Sequence, residues 1–224
     1  MMGSDMKGSG RGWTRRKWLS HCTVLAAIGA PVQLSANTPR RSILVVGDSL
    51  SAEYGLKRGS GWVALLEQRL KGEHIDAAVV NASISGDTTS GGRSRLAPLL
   101  REHHPTLVII ELGGNDALRG LPLDLTRANL IEMSRAASRA GAKVVLVGMQ
   151  LPPNYGRSYG EEFAALFADV AKQERAALVP FLLKGVADGP QAEHLFQSDR
   201  IHPTEAAHPV MLDNVWPVLK PLLK

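Results

Sequence analysis

The chain has 224 residues, enough for one domain with a hydrophobic core, and its 44% apolar and 21% charged residues are typical of a globular protein. Its single cysteine, Cys22, excludes an internal disulfide framework and a cysteine-rich metal site. The net charge is +5, but residues 1–36 hold +4 of it and the remainder only +1, so the basic pI does not indicate nucleic-acid binding.

The first 36 residues have the parts of an export signal. Two adjacent arginines, Arg15 and Arg16, precede a mildly apolar segment over Cys22–Leu34, and small residues up to Ala36 suit a cleavage site. The block resembles a twin-arginine signal, and the segment is too short to span a bilayer stably. We expect a leader over residues 1–36 and a periplasmic or secreted product; a disordered basic tail is the alternative.

Apolar runs alternate with amphipathic stretches over residues 37–224, which are predicted to form one domain. The predicted strands are residues 42–47, 77–81, 107–112, 143–149 and 177–180. The predicted helices are residues 62–71, 94–103, 125–140 and 163–174, with a last helix from near residue 203 to the C-terminus. Residues 151–156 are predicted to be a non-helical loop, and residues 181–198 to be partly helical. Apolar strands alternating with helices favour a parallel sheet covered on both faces.

The first strand runs directly into a candidate nucleophile. Ile43–Val46 is continuously apolar and is followed by Gly47, Asp48 and Ser49. A buried strand with this ending puts Ser49 at the carboxyl edge of the sheet, where ligands of open α/β sheets bind. Taken alone, the three residues are equally consistent with a simple turn.

A base and an acid stand near the other end of the chain. His202 follows Asp199 by three residues, just before the last predicted helix. A serine hydroxyl needs a base to remove its proton, and His202 can serve near neutral pH. Asp199 would hold the ring in one tautomer and stabilise the imidazolium. The predicted catalytic residues are Ser49, Asp199 and His202.

Acyl transfer also needs donors for the negative charge that develops on the carbonyl oxygen. The polar loops after the second and third strands converge on the same sheet edge as Ser49. The candidate donors are the backbone N–H groups of Ser49 and Gly86 and the side-chain amide of Asn115.

These segments resemble, in order, the four blocks of the SGNH, or GDSL, hydrolase family: Gly47–Leu50, Gly86, Gly113–Asp116 and Asp199–Pro203. The resemblance covers about residues 42–222. It implies a flavodoxin-like three-layer α/β/α fold with a five-stranded parallel sheet. It also implies the catalytic and oxyanion roles proposed above, with no cofactor and no metal ion.

Further segments are similar to the bacterial branch that combines thioesterase, lysophospholipase and arylesterase activities: residues 54–55, 85–89, 112–116 and 151–156. The resemblance implies that the last of these borders an acyl-binding groove, so the predicted substrate-binding residues are Leu151, Pro152, Asn154 and Tyr155. Core packing is the alternative for Leu151 and Tyr155. Arg200 departs from the branch, which often has glycine there, and alters the rim of the site.

The sequence therefore predicts a serine esterase that cleaves small-molecule or lipid esters and thioesters through an acyl-enzyme, as a monomer with no stable membrane span. A carbohydrate O-acetylesterase is the nearest alternative, because it differs in the pocket and not in the chemistry. A non-catalytic acyl-binding protein that keeps the fold is a second alternative. A protease has little support, since no segment indicates an extended peptide-binding cleft.

Overall fold

The computed structural model of the protein describes residues 41–224, so the predicted export signal lies outside the described residues. The sheet of this part has five strands: β1 (Ser42–Gly47), β2 (Ala78–Asn81), β3 (Leu107–Glu111), β4 (Lys143–Val147) and β5 (Ala177–Val179). All neighbours are parallel, in the order β2-β1-β3-β4-β5. This is the flavodoxin-like order, in which the direction of winding reverses beside β1. The predicted fold class is confirmed.

Helices cover both faces of the sheet: α1 (Trp62–Gly72), α2 (Thr89–His103), α3 (Gly114–Leu118), α4 (Leu123–Arg139), α5 (Arg157–Glu174), α6 (Ala192–Leu195) and α7 (His208–Leu219). Short 3₁₀ segments lie at Pro153–Tyr155, Glu205–Ala207 and Lys220–Leu223. None of the helices described here is long and apolar enough to cross a membrane.

Alternate residues of each strand supply two separate cores, as the two-residue period of a strand requires. From β1, Ile43 and Val45 pack with α1 and α7 on one face. Leu44 and Val46 pack with α2, α4 and α5 on the other. Because β1 is buried on both faces, its carboxyl end is held rigidly, and the residues that follow it inherit that position.

Several predicted boundaries are wrong, and each has a local cause. Residues 151–156 were predicted to be non-helical, yet Pro153–Tyr155 form a 3₁₀ turn, because proline is tolerated at a first helical position where its missing N–H has no partner to lose. The helix α2 begins at Thr89, earlier than predicted, because the Thr88 side chain accepts a hydrogen bond from the Gly91 N–H and caps it. The helix α5 likewise begins at Arg157, and α3 was not predicted.

Candidate active site

Ser49 lies in a tight turn directly after β1. The carbonyl of Asp48 accepts backbone hydrogen bonds from Ser51 and Ala52, at 3.2 and 2.9 Å. The Asp48 side chain is buried, and its Oδ1 accepts the Leu50 N–H at 3.0 Å. This turn lifts Ser49 to the carboxyl edge of the sheet, half-buried beside the crevice next to β1.

The structure brings Ser49, His202 and Asp199 into one line of hydrogen bonds. Ser49 Oγ lies 2.9 Å from His202 Nε2, although 153 residues separate the two. His202 Nδ1 lies 2.7 Å from Asp199 Oδ2. With Nδ1–H donating to the carboxylate, Nε2 is the free acceptor that faces the serine hydroxyl. The arrangement can move the proton of Ser49 to His202.

Asp199 also closes the turn on which His202 stands. Its Oδ1 accepts the backbone N–H groups of Ile201 and His202 at 2.9 and 3.0 Å. These backbone and side-chain hydrogen bonds from His202, followed by that from Ile201, lower the pKa of Asp199 to about 2. The carboxylate is therefore ionised throughout the neutral range and can stabilise a cation on His202.

One face of the His202 ring is covered by Tyr54, whose ring centroid lies 4.2 Å away at an interplanar angle of 36°. Tyr54 comes from the loop between β1 and α1 and is 49% exposed. The contact restricts rotation of the imidazole and leaves its edge directed at Ser49. Tyr54 belongs to a segment that resembles the family branch, but no pattern in the sequence predicts its contact with His202.

The three predicted oxyanion donors follow β1, β2 and β3. Within residues 41–224, the backbone N–H groups of Ser49 and Gly86 donate no hydrogen bond. The amide of Asn115 has two N–H donors, and one of them donates to Asp48 Oδ2 at 2.9 Å. Gly86 has a φ of 77°, which favours glycine, and its carbonyl accepts a hydrogen bond from Arg119 Nη2 at 2.8 Å. Donors without protein partners at a ligand-binding edge are available to a substrate oxygen.

An apolar cavity of about 370 Å³ is lined in part by residues that adjoin Asn115 and His202 in the chain. It reaches from Gly114, next to Asn115, to Ile201, next to His202. Its lining includes Leu118, Met149, Leu151, Pro152, Phe181, Leu183, Phe196, Arg200 and Ile201.

Of the four predicted substrate-binding residues, Leu151 and Pro152 line this cavity, whereas Asn154 and Tyr155 do not. The reason is the 3₁₀ turn, which begins after Pro152 and carries Asn154 and Tyr155 to exposed positions beyond the cavity wall. Phe181 and Phe196 were not singled out, because their part of the sequence has no clear period. Among the described residues no group of three or more His, Cys, Asp or Glu side chains could hold a metal ion.

Comparison with known proteins points to one family. The model of the family described as "GDSL-like Lipase/Acylhydrolase family" matches residues 45–210. Esterase TesA of Pseudomonas aeruginosa is 52% identical over 200 residues, which cover 89% of this chain and 98% of the relative. The "Thioesterase 1/protease 1/lysophospholipase L1" of Escherichia coli is 40% identical over 182 residues, which cover 81% of this chain and 85% of the relative.

A solved structure with the same architecture is the psychrotrophic esterase EstA from Pseudoalteromonas sp., inhibited by monoethylphosphonate. It superimposes with a TM-score of 0.77 at 38% identity, over 82% of this chain and 98% of that one. The shared fold therefore extends over almost the whole of the solved enzyme.

Proposed function

The chain belongs to the GDSL-like lipase/acylhydrolase family and is an ester hydrolase, and on that premise we propose that Ser49, His202 and Asp199 carry the reaction. The observation that supports this assignment is the continuous line of hydrogen bonds from Ser49 Oγ to His202 at 2.9 Å and from His202 to Asp199 at 2.7 Å. A serine hydroxyl becomes nucleophilic only when such a base accepts its proton.

In the acylation step, Ser49 Oγ attacks the carbonyl carbon of the ester or thioester while His202 Nε2 takes the hydroxyl proton. The tetrahedral intermediate collapses, the bond to the leaving group breaks, and His202 gives the proton to the departing oxygen or sulfur. Water then attacks the acyl-enzyme with His202 again as base. The free acid leaves, and Ser49 regains its proton. Asp199 stays ionised and stabilises the imidazolium throughout.

The negative oxygen of the intermediate is proposed to bind the N–H groups of Ser49, Gly86 and Asn115. Asp48 supports this role, because its acceptance of one Asn115 N–H leaves the second N–H with a defined direction. One such donor contributes roughly 3 kcal/mol to transition-state stabilisation in other enzymes.

Aryl esters, acyl-CoA thioesters and lysophospholipids are the proposed substrates. The apolar cavity between Gly114 and Ile201 supports an acyl group larger than acetyl, since about 370 Å³ exceeds what an acetyl group fills. The names of the relatives, an esterase and a thioesterase and lysophospholipase, agree with that range. A protease activity also stands in the name of the Escherichia coli relative, so a nitroanilide belongs in the substrate panel.

The test is hydrolysis of nitrophenyl esters of increasing chain length and of acyl-CoA thioesters by the wild-type protein and Ser49→Ala. We expect the variant to lose about 10⁵–10⁶-fold in kcat, because the nucleophile is gone while the fold is kept. Ser138→Ala is the matched control, since Ser138 is an exposed serine on α4. Equal turnover by Ser49→Ala would exclude Ser49 as the nucleophile.

The same panel separates the alternatives. Preference for acetylated xylan over medium-chain esters would favour the carbohydrate O-acetylesterase. Binding of acyl ligands without turnover by the wild-type protein would favour the acyl-binding protein.

A periplasmic or secreted location after cleavage of residues 1–36 is also proposed. Its support is the order of the basic block, apolar segment and small residues in the sequence. N-terminal sequencing of exported protein is expected to begin at Asn37.

A further inference from the structure

Glu111 is a buried acid beneath the nucleophile turn that the reaction described above does not use. It is the last residue of β3, lies opposite Gly47 in the β1–β3 register, and is 1% exposed. A carboxyl group in such a place is costly unless its hydrogen bonds are satisfied. Its contacts therefore indicate what it does.

The partners of Glu111 lie on both sides of Ser49 in the chain. Glu111 Oε2 lies 2.7 Å from Ser51 Oγ and 3.4 Å from the backbone N of Asp48. Trp62 Nε1 lies 3.2 Å from the same Ser51 hydroxyl. The indole N–H can only donate, so Ser51 accepts from Trp62 and gives its single proton to Glu111. One carboxyl group thus holds the residues before and after the nucleophile.

The backbone approaches this carboxyl group as closely as packing permits. A Cβ at Gly47 would lie 2.8 Å from Glu111 Oε2 and 2.8 Å from Ser51 Oγ. Only glycine fits there, because a side chain on the first residue of the Gly-Asp-Ser segment would clash with Glu111 and Ser51. A small displacement of this carboxyl group would move the turn.

Glu111 and Asp48 are two buried carboxyl groups at the same turn, and the pKa of each is raised. Burial raises the pKa of Glu111 well above its usual range, and the nearby charge of Asp48 raises it further. Burial also raises the pKa of Asp48 to about 6, against hydrogen bonds from Leu50 and Asn115 and the charge of His202, with Asp87 adding repulsion. Both carboxyl groups therefore keep their protons to a higher pH than exposed carboxyl groups do.

We propose that Glu111 is a positioning residue for ester hydrolysis, which acts through Ser51 and the Asp48 backbone to hold Ser49 Oγ in line with His202. The inference rests on the proposed function, because it assumes that Ser49 is the nucleophile. Glu111 touches neither substrate nor the reacting atoms. Replacing Glu111 should therefore lower kcat and leave KM almost unchanged, because Glu111 sets the geometry of attack and does not contact the bound acyl chain.

Three variants test the proposal: Ser51→Ala, Glu111→Leu and Glu111→Gln. Leu70→Ala is the control for general loss of stability, since Leu70 is buried on α1, eight residues after Trp62, and its apolar side chain takes part in no hydrogen bond. Each protein is assayed with a nitrophenyl ester at a temperature where circular dichroism shows it to be folded. The rate of labelling of Ser49 by a fluorophosphonate is measured in parallel, because it reports the nucleophile without deacylation.

We expect Ser51→Ala and Glu111→Leu to lower kcat and the labelling rate by about 10- to 100-fold, with KM changed less than about threefold, because misplacement of the nucleophile acts on the transition state. Glu111→Gln is expected to stay within about threefold of wild type at pH 7, since its carbonyl oxygen still accepts from Ser51.

The proposal is overturned if Ser51→Ala loses no more kcat than Leu70→Ala, a comparison that stands even if Glu111→Leu does not fold. A Glu111→Gln variant as slow as Glu111→Leu contradicts it equally. Failure of the proposed function has a different signature, which is full turnover and labelling in Ser49→Ala.

Discussion

Arg200 lies inside the turn that connects Asp199 to His202, and its backbone has a φ of 57°. The turn requires this left-handed conformation because Asp199 Oδ1 accepts two N–H groups that follow Arg200. A non-glycine residue there carries a steric cost of about 1 kcal/mol. The side chain of Arg200 lines the apolar cavity, so the departure from glycine noted in the sequence lies on the wall of the site.

Replacing Arg200 with glycine is expected to raise the free energy of unfolding by about 1 kcal/mol, because glycine adopts positive φ without a clash. The melting temperature should rise by about 2–4 °C. Urea unfolding and calorimetry measure both quantities. Arg200→Ala is the matched control, since it removes the side chain but keeps the backbone cost. A stability gain of equal size in both variants would show that the side chain, and not the φ angle, is responsible.

At the scale of the helices, His208 joins the start of α1 to the start of α7. Gly61, the residue before α1, has no side chain that could cap the helix. The first N–H of the helix, that of Trp62, instead donates to His208 Nδ1 at 3.0 Å. Burial lowers the pKa of His208 to about 4, although Glu53 and Glu205 act in the opposite direction. The ring is therefore neutral at pH 7, and its role as acceptor places the proton on Nε2.

This contact makes stability depend on pH. In the unfolded chain His208 has its usual pKa near 6.5, so between pH 6.5 and 4 the unfolded state binds the proton more readily than the folded state. The contribution of His208 to the free energy of unfolding is fully present above pH 6.5. It is lost as the pH falls towards 4, and the loss is about 3 kcal/mol.

We expect the loss in unfolding free energy between pH 7 and pH 4 to be about 3 kcal/mol smaller in His208→Gln than in the wild type, because glutamine has no such titration. Denaturant unfolding at a series of pH values measures the difference. His194→Gln, at an exposed histidine on α6, is the control and should follow the wild-type curve. Parallel curves for wild type and His208→Gln would contradict the account.

At the scale of the whole molecule, the sheet separates two cores, and within residues 41–224 no buried helix side chain belongs to both. Val215 of α7 belongs to one core and Val170 of α5 to the other, and both are fully buried. Each core packs on its own face of the strands, so the buried neighbours of Val215 differ from those of Val170.

Val215→Ala and Val170→Ala are each expected to lower the free energy of unfolding by about 2 kcal/mol, from lost burial and the cavity left behind. The double variant should lose their sum within about 0.5 kcal/mol, because the two side chains are buried in different cores on opposite faces of the sheet. Chemical denaturation of the four proteins completes the cycle. Met211→Ala combined with Val215→Ala, one turn apart on α7, is the control and should deviate from additivity. An equally large deviation from additivity for Val215→Ala combined with Val170→Ala would show that the two cores are coupled.

The five strands and their parallel arrangement could be predicted from the sequence, because continuous apolar runs between helices have few other solutions. The predicted bounds of β1, Ser42–Gly47, are identical to those in the structure. The predicted bounds of the other four strands differ from the structure by no more than two residues at each end. Helix starts were less accurate, since a cap such as Thr88 or a proline-led turn depends on local hydrogen bonds that the apolar period does not record. The export signal and the catalytic roles stay predictions.

The sequence by itself determined the family and the chemical types at the site, because the order of Ser49, Gly86, Asn115, Asp199 and His202 needs no coordinates to be recognised. Only the tertiary structure decided the distances that join Ser49 to His202 and the burial of Glu111 beneath the turn. The physical reason is that hydrogen bonds and pKa values depend on groups far apart in the chain. Glu111 lies beneath the turn because β3 pairs with β1, whereas His202 reaches Ser49 from the loop before α7. No local pattern of residues specifies either contact.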